Sequence, residues 1–379
     1  MHILFITHYA GFYGANKSLL TLMCYLRTHY KIEPIVLLPS KGIFSKYLEE
    51  EYIPYIIQHY YWWVNDNHGA FQYLLNKCKQ FRNIFKVSKI CKRLRDYNID
   101  LVYSNSVTVN IGMFVAKQMG VPHIWHFREA LTQFRLSLSL SISRCLLHQS
   151  QNAKFVLISD YMMRFYQSYL PSERMQRIYN GISLPINRER VSTNQLNVRL
   201  KVAIVGVVSK QKNQLELLKA QFQLLQLGIE IDTYIVGTYK EDYLAEIRKF
   251  VQDANLSDLV HIIGHADDVF GILQEMNVGV VCATDEAFGR TTIEFMLMKM
   301  PVVVSDSGAN PELIRNEQDG YIYTSGDVNA LAEVLKRYVE QPELLQAQGE
   351  SAYQYAIDNF SAEKNAEAIY KVINEVMNE

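Results

Sequence analysis

Short apolar runs separated by helix-length segments recur along most of the chain. Ile3–Thr7, Ile35–Leu38, Asp100–Ser104, His123–Phe127, Lys154–Ser159 and Gln176–Tyr179 read as strands, and a helical pattern runs from Ser18 through Leu26. A second series follows, with strands at Lys201–Val205, Asp232–Val236, Val260–Ile263, Val278–Cys282 and Val302–Ser305. Its helical segments are Asn213–Leu227, Glu241–Asp253, Arg290–Met298, Ala330–Val339 and Pro342–Ile357. Alternation of this kind predicts parallel sheets covered by helices on both faces, so the expected fold class is α/β with two doubly wound, Rossmann-like units in tandem. Between the series, Asn180–Arg199 loses all periodicity in the run NRERVSTNQLN after Pro185, which places an inter-domain linker there. The expected division is 1–185, 186–360 and a terminal segment 361–379 holding an amphipathic helix at Ala362–Met377.

A chain of 379 residues exceeds the usual single core, in agreement with two domains. Its 38 basic and 39 acidic residues nearly cancel, so no bulk affinity for nucleic acid is expected. The balance is uneven locally, because Lys77, Lys79, Arg82, Lys86, Lys89, Lys92, Arg93 and Arg95 share one stretch without an acid. Apolar residues interleave with these charges, and Tyr60, Tyr61, Trp62 and Trp63 lie just before them. The segment fits either a solvated helix with one packed face or a patch for an anionic membrane surface. Five scattered cysteines without a Cys-x-x-Cys pair read as small buried hydrophobes of a reducing compartment. No basic leader precedes the apolar start, which reads as a first strand, and no long uncharged apolar run follows. The expected location is therefore cytoplasmic, with peripheral contact to the inner face of the membrane left open.

Ligands of open α/β sheets bind beyond the carboxyl ends of the strands, so the loops after strands carry the chemistry. The first such loop, His8–Lys17, holds Gly11 and Gly14 and leads into a helix whose free amides favour an anion. It is not G-x-G-x-x-G, which argues against a dinucleotide oxidoreductase. The segment TDEAFGRTTIE sets Glu286 in a loop and Glu294 on the following helix, with Phe288, Gly289, Arg290 and Thr291 between them. Amides around Gly289 suit a phosphate, and a carboxylate on either side suits the hydroxyls of a sugar or ribose. SDSGANPE at Ser305–Glu312 repeats the strand–glycine–helix pattern, and Lys212 in SKQKN could neutralise a pyrophosphate. In the first series, WHFRE places His126, Arg128 and Glu129 at one strand end, with Asn105 and Ser106 at another; these are candidate acceptor-side or cleft residues. A core histidine satisfied by a carbonyl would look the same as His126 in sequence.

Taken together these residues resemble the retaining glycosyltransferases of family 4, with the GT-B architecture of two facing Rossmann-like domains and a cleft between them. The likeness covers nearly the whole chain and is strongest at E-x7-E, here Glu286 and Glu294. SDSGANPELI, Lys212–Gln214, Tyr179–Gly181 and the Gly11/Gly14 loop add to it. The resemblance implies an acceptor-binding first domain, a donor-binding second domain and a terminal helix that packs back on the first. By position it makes Glu294 the receiver of ribose hydroxyls, Glu286 the acid on the donor sugar and Lys212 the pyrophosphate cation. It likewise puts the amides of Phe288–Thr291 on the pyrophosphate or sugar, His126 beside the transferred sugar and Gly14 near the diphosphate. One departure is Val207, where such enzymes commonly carry a basic residue; Lys210 or Arg290 could supply that charge.

The implied reaction moves a sugar, with retention, from a nucleoside diphosphate, UDP favoured, to a hydroxyl of a glycan or lipid-linked acceptor. No cofactor or metal is expected, since the chain has no obvious Asp-x-Asp and cations with helix amides can neutralise the diphosphate. The rival readings are a non-catalytic nucleotide-sugar-binding protein of the same fold and a sugar-nucleotide epimerase.

Overall fold

The computed structural model describes residues 1–63, 70–131, 153–183 and 199–379, and of residues 70–81 the helical backbone alone. Most of the expected linker, residues 184–198, lies outside the described residues, as do the side chains of Lys77 and Lys79.

Two compact units are present, one formed by Met1–Gly181 with Ala362–Glu379 and one by Ile182–Ser361. The strands of the first are β1 (His2–Ile6), β2 (Glu33–Leu38), β3 (Tyr55–Ile57), β4 (Leu101–Ser104), β5 (His123–Phe127), β6 (Ala153–Leu157) and β7 (Met175–Arg177). All pair in parallel in the order β3-β2-β1-β4-β5-β6-β7. The second holds β8 (Leu200–Val205), β9 (Ile231–Val236), β10 (Val260–Gly264), β11 (Val278–Val281), β12 (Val302–Ser305) and β13 (Gly320–Tyr323). These too are parallel, in the order β10-β9-β8-β11-β12-β13. Continuous hydrophobicity follows from burial on both faces: Ile3, Leu4, Phe5 and Ile6 of β1 have no exposed surface, nor have Val302, Val303 and Val304 of β12. Each sheet winds outward in two directions from its first strand. The reversals fall between β1 and β4 and between β8 and β11, where ligands of such sheets settle.

The helices are α1 (Gly14–Tyr30), α2 (Ile43–Glu50), α3 (Ala70–Arg93), α4 (Ile111–Met119), α5 (Asp160–Tyr166), α6 (Gln214–Gln226) and α7 (Glu241–Asp253). They continue with α8 (Val269–Leu273), α9 (Arg290–Leu297), α10 (Asn310–Leu313), α11 (Val328–Glu340), α12 (Glu343–Phe360) and α13 (Ala362–Asn378). The last helix belongs to the first unit. Ala366, Ile369, Val372 and Ile373 share one core with Leu19, Leu22 and Leu26 of α1, and Tyr370 stacks on Tyr30 at 3.9 Å. Asn365 Nδ2 donates to the Tyr179 carbonyl at 2.6 Å.

The aromatic run before α3 divides between core and surface, with Trp62 41% exposed. Tyr60 and Trp63 are 2% exposed. The Tyr60 hydroxyl donates to the Thr7 and Leu37 carbonyls, and Trp63 Nε1 to the Val107 carbonyl. Asn83 of α3, also buried, clamps Tyr61 by accepting from its amide at 2.9 Å and donating to its carbonyl at 2.8 Å. The run therefore buttresses the loops after β1 and β4, because a ring with a polar tip can fill a core and still hold a backbone carbonyl. On α3 itself Val87, Ile90 and Leu94 are buried, while Phe85 is 74% exposed among the exposed Arg82, Ile84, Lys89 and Lys92.

Candidate functional site

In the second unit the loops after β8 and β11 meet over a pocket lined by Val205, Lys212, Cys282, Glu286, Gly289 and Thr291. Thr284 N donates to the Gln211 carbonyl at 2.9 Å, which ties the Lys212 loop to the Glu286 loop. Lys212 Nζ donates to Glu286 Oε2, forming one ion pair; Arg290 Nε donates to Glu294 Oε1 at 2.9 Å, forming another. The four side chains are partly covered, between 18% and 28% exposed, so the charges are neither fully hydrated nor sealed in. Pairing within one helix turn brings Arg290 to Glu294, whereas Lys212 and Glu286 come from loops far apart in sequence.

Gly289 caps α9 in the left-handed region, with φ 89, a conformation glycine adopts without strain. A Cβ there would stand 2.9 Å from Leu313 Cδ1 and 3.2 Å from both Asn310 Oδ1 and Thr292 Oγ1. Those two oxygens are buried and have no hydrogen-bond partner among the described residues. The first turn of α9 carries no acid, so its amides end on an uncapped, electropositive helix start. The loop after β12 supports this arrangement from behind. Gly308, at φ 63, packs where a Cβ would come within 2.4 Å of the Glu286 backbone. Ala309 N donates to the Glu286 carbonyl at 2.8 Å, and Asp285 N to Ser307 Oγ at 3.0 Å. The Gly308 loop thus holds the Glu286 loop.

Val207 is 43% exposed, and Lys210 is directed to Glu246 at 3.8 Å with 83% of its side chain exposed. Of the two expected substitutes for a basic residue after Gly206, only Arg290 stands with the E-x7-E acids.

The first unit brings its polar residues together differently. Gly14 opens α1 behind Tyr13, whose side chain makes no cap, and no acid occupies the first turn. Asn16, fully buried, donates to the Tyr9 and Gly11 carbonyls at 3.1 and 2.7 Å and accepts from Thr7 Oγ1 at 2.5 Å. Asn105 Nδ2 donates to the Ala15 carbonyl at 3.2 Å, while its Oδ1 accepts from Arg128 Nε at 2.9 Å; Arg128 also donates to Asn180 Oδ1. Glu129 Oε2 accepts from Ser106 Oγ at 3.0 Å and Val107 N at 3.3 Å, and Oε1 lies 3.5 Å from His8 Nε2. Burial pushes the Glu129 carboxyl up to about 7 and the His8 imidazole down to about 3. Asn105, Ser106, Arg128 and Glu129 thus belong to one cluster at the carboxyl ends of β4 and β5.

His126, on β5 two residues before Arg128, has its imidazole in the core, with Nε2 lacking a hydrogen-bond partner among the described residues. It has no exposed surface, and its Nδ1 shares a hydrogen bond with the Tyr103 hydroxyl; burial, then the Arg128 charge, hold it neutral. The sequence reading overlooked Asn16, Asn180 and Asn310, which orient the groups it named. All three lie inside named segments, Asn16 in His8–Lys17, Asn180 in Tyr179–Gly181 and Asn310 in Ser305–Glu312, but nothing in the sequence singles out the asparagine of each. Among the described residues no cluster of three His, Cys, Asp or Glu side chains could hold a metal ion, and no helix is long and apolar enough to cross a membrane.

Residues 186–355 match the family model described as glycosyl transferases group 1. The second unit is related to that group. The lipopolysaccharide core biosynthesis mannosyltransferase LpcC of Rhizobium leguminosarum bv. viciae is 30% identical over 190 residues, 49% of this chain and 54% of its own length. This chain spans about half the length of that protein and of the next three curated relatives. A longer match joins it to the Escherichia coli UDP-Gal:alpha-D-GlcNAc-diphosphoundecaprenol alpha-1,3-galactosyltransferase, 21% identical over 77% of this chain and 78% of that one. Among solved structures, Anabaena HepE in complex with UDP superposes with a TM-score of 0.80 at 21% identity, covering 99% of this chain and 100% of its own. The architecture is the two-Rossmann GT-B fold.

Proposed function

We propose that the protein is a retaining glycosyltransferase of family 4 type, moving a sugar from a UDP-sugar to a hydroxyl of a glycan or lipid-linked acceptor. The observation that carries this reading is the double ion pair Lys212–Glu286 and Arg290–Glu294 around the bare start of α9, inside the segment related to glycosyl transferases group 1. The names of the related mannosyl- and galactosyltransferases, and the UDP held by HepE, support it.

In this reading the second unit binds the donor. Glu294 accepts the ribose hydroxyls, Glu286 the hydroxyls of the donor sugar, and Lys212, Arg290 and the amides of Phe288–Thr291 the diphosphate. The bond from the anomeric carbon to the diphosphate oxygen breaks and one to the acceptor oxygen forms on the same face. The acceptor proton passes to the departing phosphate oxygen. Negative charge grows on the diphosphate as the bond parts, and cations already fixed in place stabilise it without reorganising. The two site bases, paired with the site acids in the free protein, exchange a carboxylate for a phosphate when donor arrives. Because those side chains and amides can neutralise the diphosphate, the reaction is proposed to need no metal. The first unit is assigned to the acceptor, with Asn105, Ser106, Arg128 and Glu129 at its strand ends, His126 fixed behind them and Gly14 at the α1 start. Exposed Phe85 and Ile84 among Arg82, Lys89 and Lys92 support peripheral contact with the anionic inner face of the membrane.

Thermal stabilisation by a panel of UDP-, GDP- and ADP-sugars, followed by assay of sugar transfer with the best binder, tests the proposal. Stabilisation by UDP-sugars and turnover are expected. Stabilisation without any transfer or donor hydrolysis would favour a non-catalytic binding protein.

A further inference from the structure

A row of aromatic rings runs along the loop after β1. The Trp62 ring lies 5.6 Å from His8, His8 meets Tyr9 edge-on at 4.1 Å, and Tyr9 lies 5.9 Å from Tyr13. The two ends are open, Trp62 at 41% and Tyr13 at 66% exposed. Rings so exposed cost hydration unless something covers them, yet the backbone beneath is built to hold them. Trp62 Nε1 donates to the His8 carbonyl at 2.8 Å, and Asn16 anchors the carbonyls of Tyr9 and Gly11. Gly11 lies under both tyrosines: a Cβ there would stand 2.7 Å from Tyr13 Cε2 and 3.1 Å from Tyr9 Cδ2, so a side chain at this position would displace the rings from where they lie.

Midway, the row abuts Glu129 through His8. Glu129 Oε1 and His8 Nδ1 are both buried and have no hydrogen-bond partner among the described residues, and the His8 side chain is only 9% exposed. With the imidazole proton on Nε2, which faces Glu129, His8 accepts at Nδ1, and a carboxyl group accepts in either protonation state, so a complementary ligand brings donors. The nearby guanidinium of Arg128 is turned to Asn105 and Asn180. A carboxylate at the site disfavours a phosphate, and flat rings beside hydrogen-bond acceptors match a body with apolar faces and a hydroxyl edge.

We infer that Trp62, Tyr9 and Tyr13 form a stacking platform for a pyranose ring of the acceptor, with Glu129 and His8 receiving its hydroxyls. This rests on the glycosyltransferase reading and deepens it, since it makes the acceptor end a sugar rather than a lipid phosphate.

Trp63 and Trp125 are buried, which leaves Trp62 as the exposed one of the three tryptophans. Intrinsic fluorescence of the full chain, titrated with maltotriose, mannotriose, galactotriose and chitotriose, reads the platform directly. At least one trisaccharide is expected to change the emission saturably. Tyr13→Ala, at a position exposed enough not to disturb folding, should weaken that binding about 10-fold, Tyr13→Phe should restore it, and Glu129→Gln should weaken it as well. No response to any of the four sugars, or undiminished affinity in Tyr13→Ala, overturns the inference. Thermal stabilisation by UDP in the same samples separates the two claims. UDP binding without sugar binding removes the platform and leaves the donor reading; sugar binding without UDP binding does the reverse.

Discussion

At the carboxyl end of its sheet the second unit sets two acids against two bases around a bare helix start, whereas the first sets one acid among amides, hydroxyls and aromatic rings. Both sheets are wound alike from their first strand. The difference lies in the loops. The charges of the second unit are paired with one another, Lys212 with Glu286 and Arg290 with Glu294. The first has its arginine turned to two asparagine side chains and its carboxyl pushed toward neutrality, a setting suited to hydroxyls. One fold thus carries two different sets of polar groups at its strand ends, which is why the site and not the architecture argues the function.

Removing the lysine of the two bases in the second unit should have the largest effect. Lys212→Ala is expected to lower the rate of sugar transfer by about 100-fold or more, as loss of a fixed group facing developing charge does, with activity against time as the readout. An unaffected rate would take Lys212 out of the site. Glu294→Gln should follow, weakening UDP by about 10-fold in a binding titration, the order lost with one charge-assisted hydrogen bond. Unchanged affinity would end its ribose role.

A third prediction sharpens the contrast through pH. Glu129 faces His8, Tyr9 and Arg128, and the Tyr166 hydroxyl donates to its carbonyl. Its folded value near 7 lies above the ordinary 4.5, so the folded state holds the proton more tightly and stability falls as pH rises from 4.5 to 7. His8 and His123, both lowered to about 3, act in the opposite sense and lose stability as pH falls below 6.5. The difference between wild type and Glu129→Gln isolates the carboxyl: near equality at pH 4.5, with the variant gaining on the order of 1 kcal/mol by pH 8 in urea denaturation. A difference that does not change with pH would show that the carboxyl is not desolvated. The smallest effect is expected at α3, where Phe85→Ser should reduce sedimentation with anionic vesicles about twofold without altering UDP binding. Equal sedimentation would exclude that face.

Both windings, the interior strands and the charged loops of the second unit were legible in the sequence, because continuous apolar runs and strand–glycine–helix spacing are local signals. Tyr55–Ile57 and Gly320–Tyr323 were not, being short edge strands that borrow their order from a neighbour. Nor was the division of Tyr60–Trp63 between core and surface, since an aromatic ring looks the same in sequence whether it faces solvent or fills the space under a loop. His126 shows the limit most clearly: its position at the end of a strand could be read, but its side chain's burial against Tyr103 depends on the partner strand. Asn16, Asn180 and Asn310 act through side-chain bonds to Tyr9 and Gly11, Arg128 and Ser305, pairings of individual groups that leave no periodicity behind.

The claim on which the rest depends is that the second unit grips a diphosphate with Lys212 and the α9 amides. Calorimetric titration of uridine and of UDP into the same protein tests it most directly. UDP should bind at least about 10-fold tighter than uridine, and Lys212→Ala should remove most of that difference. Equal affinity for the two ligands, or a preference for UDP undiminished by the loss of Lys212, would contradict the account.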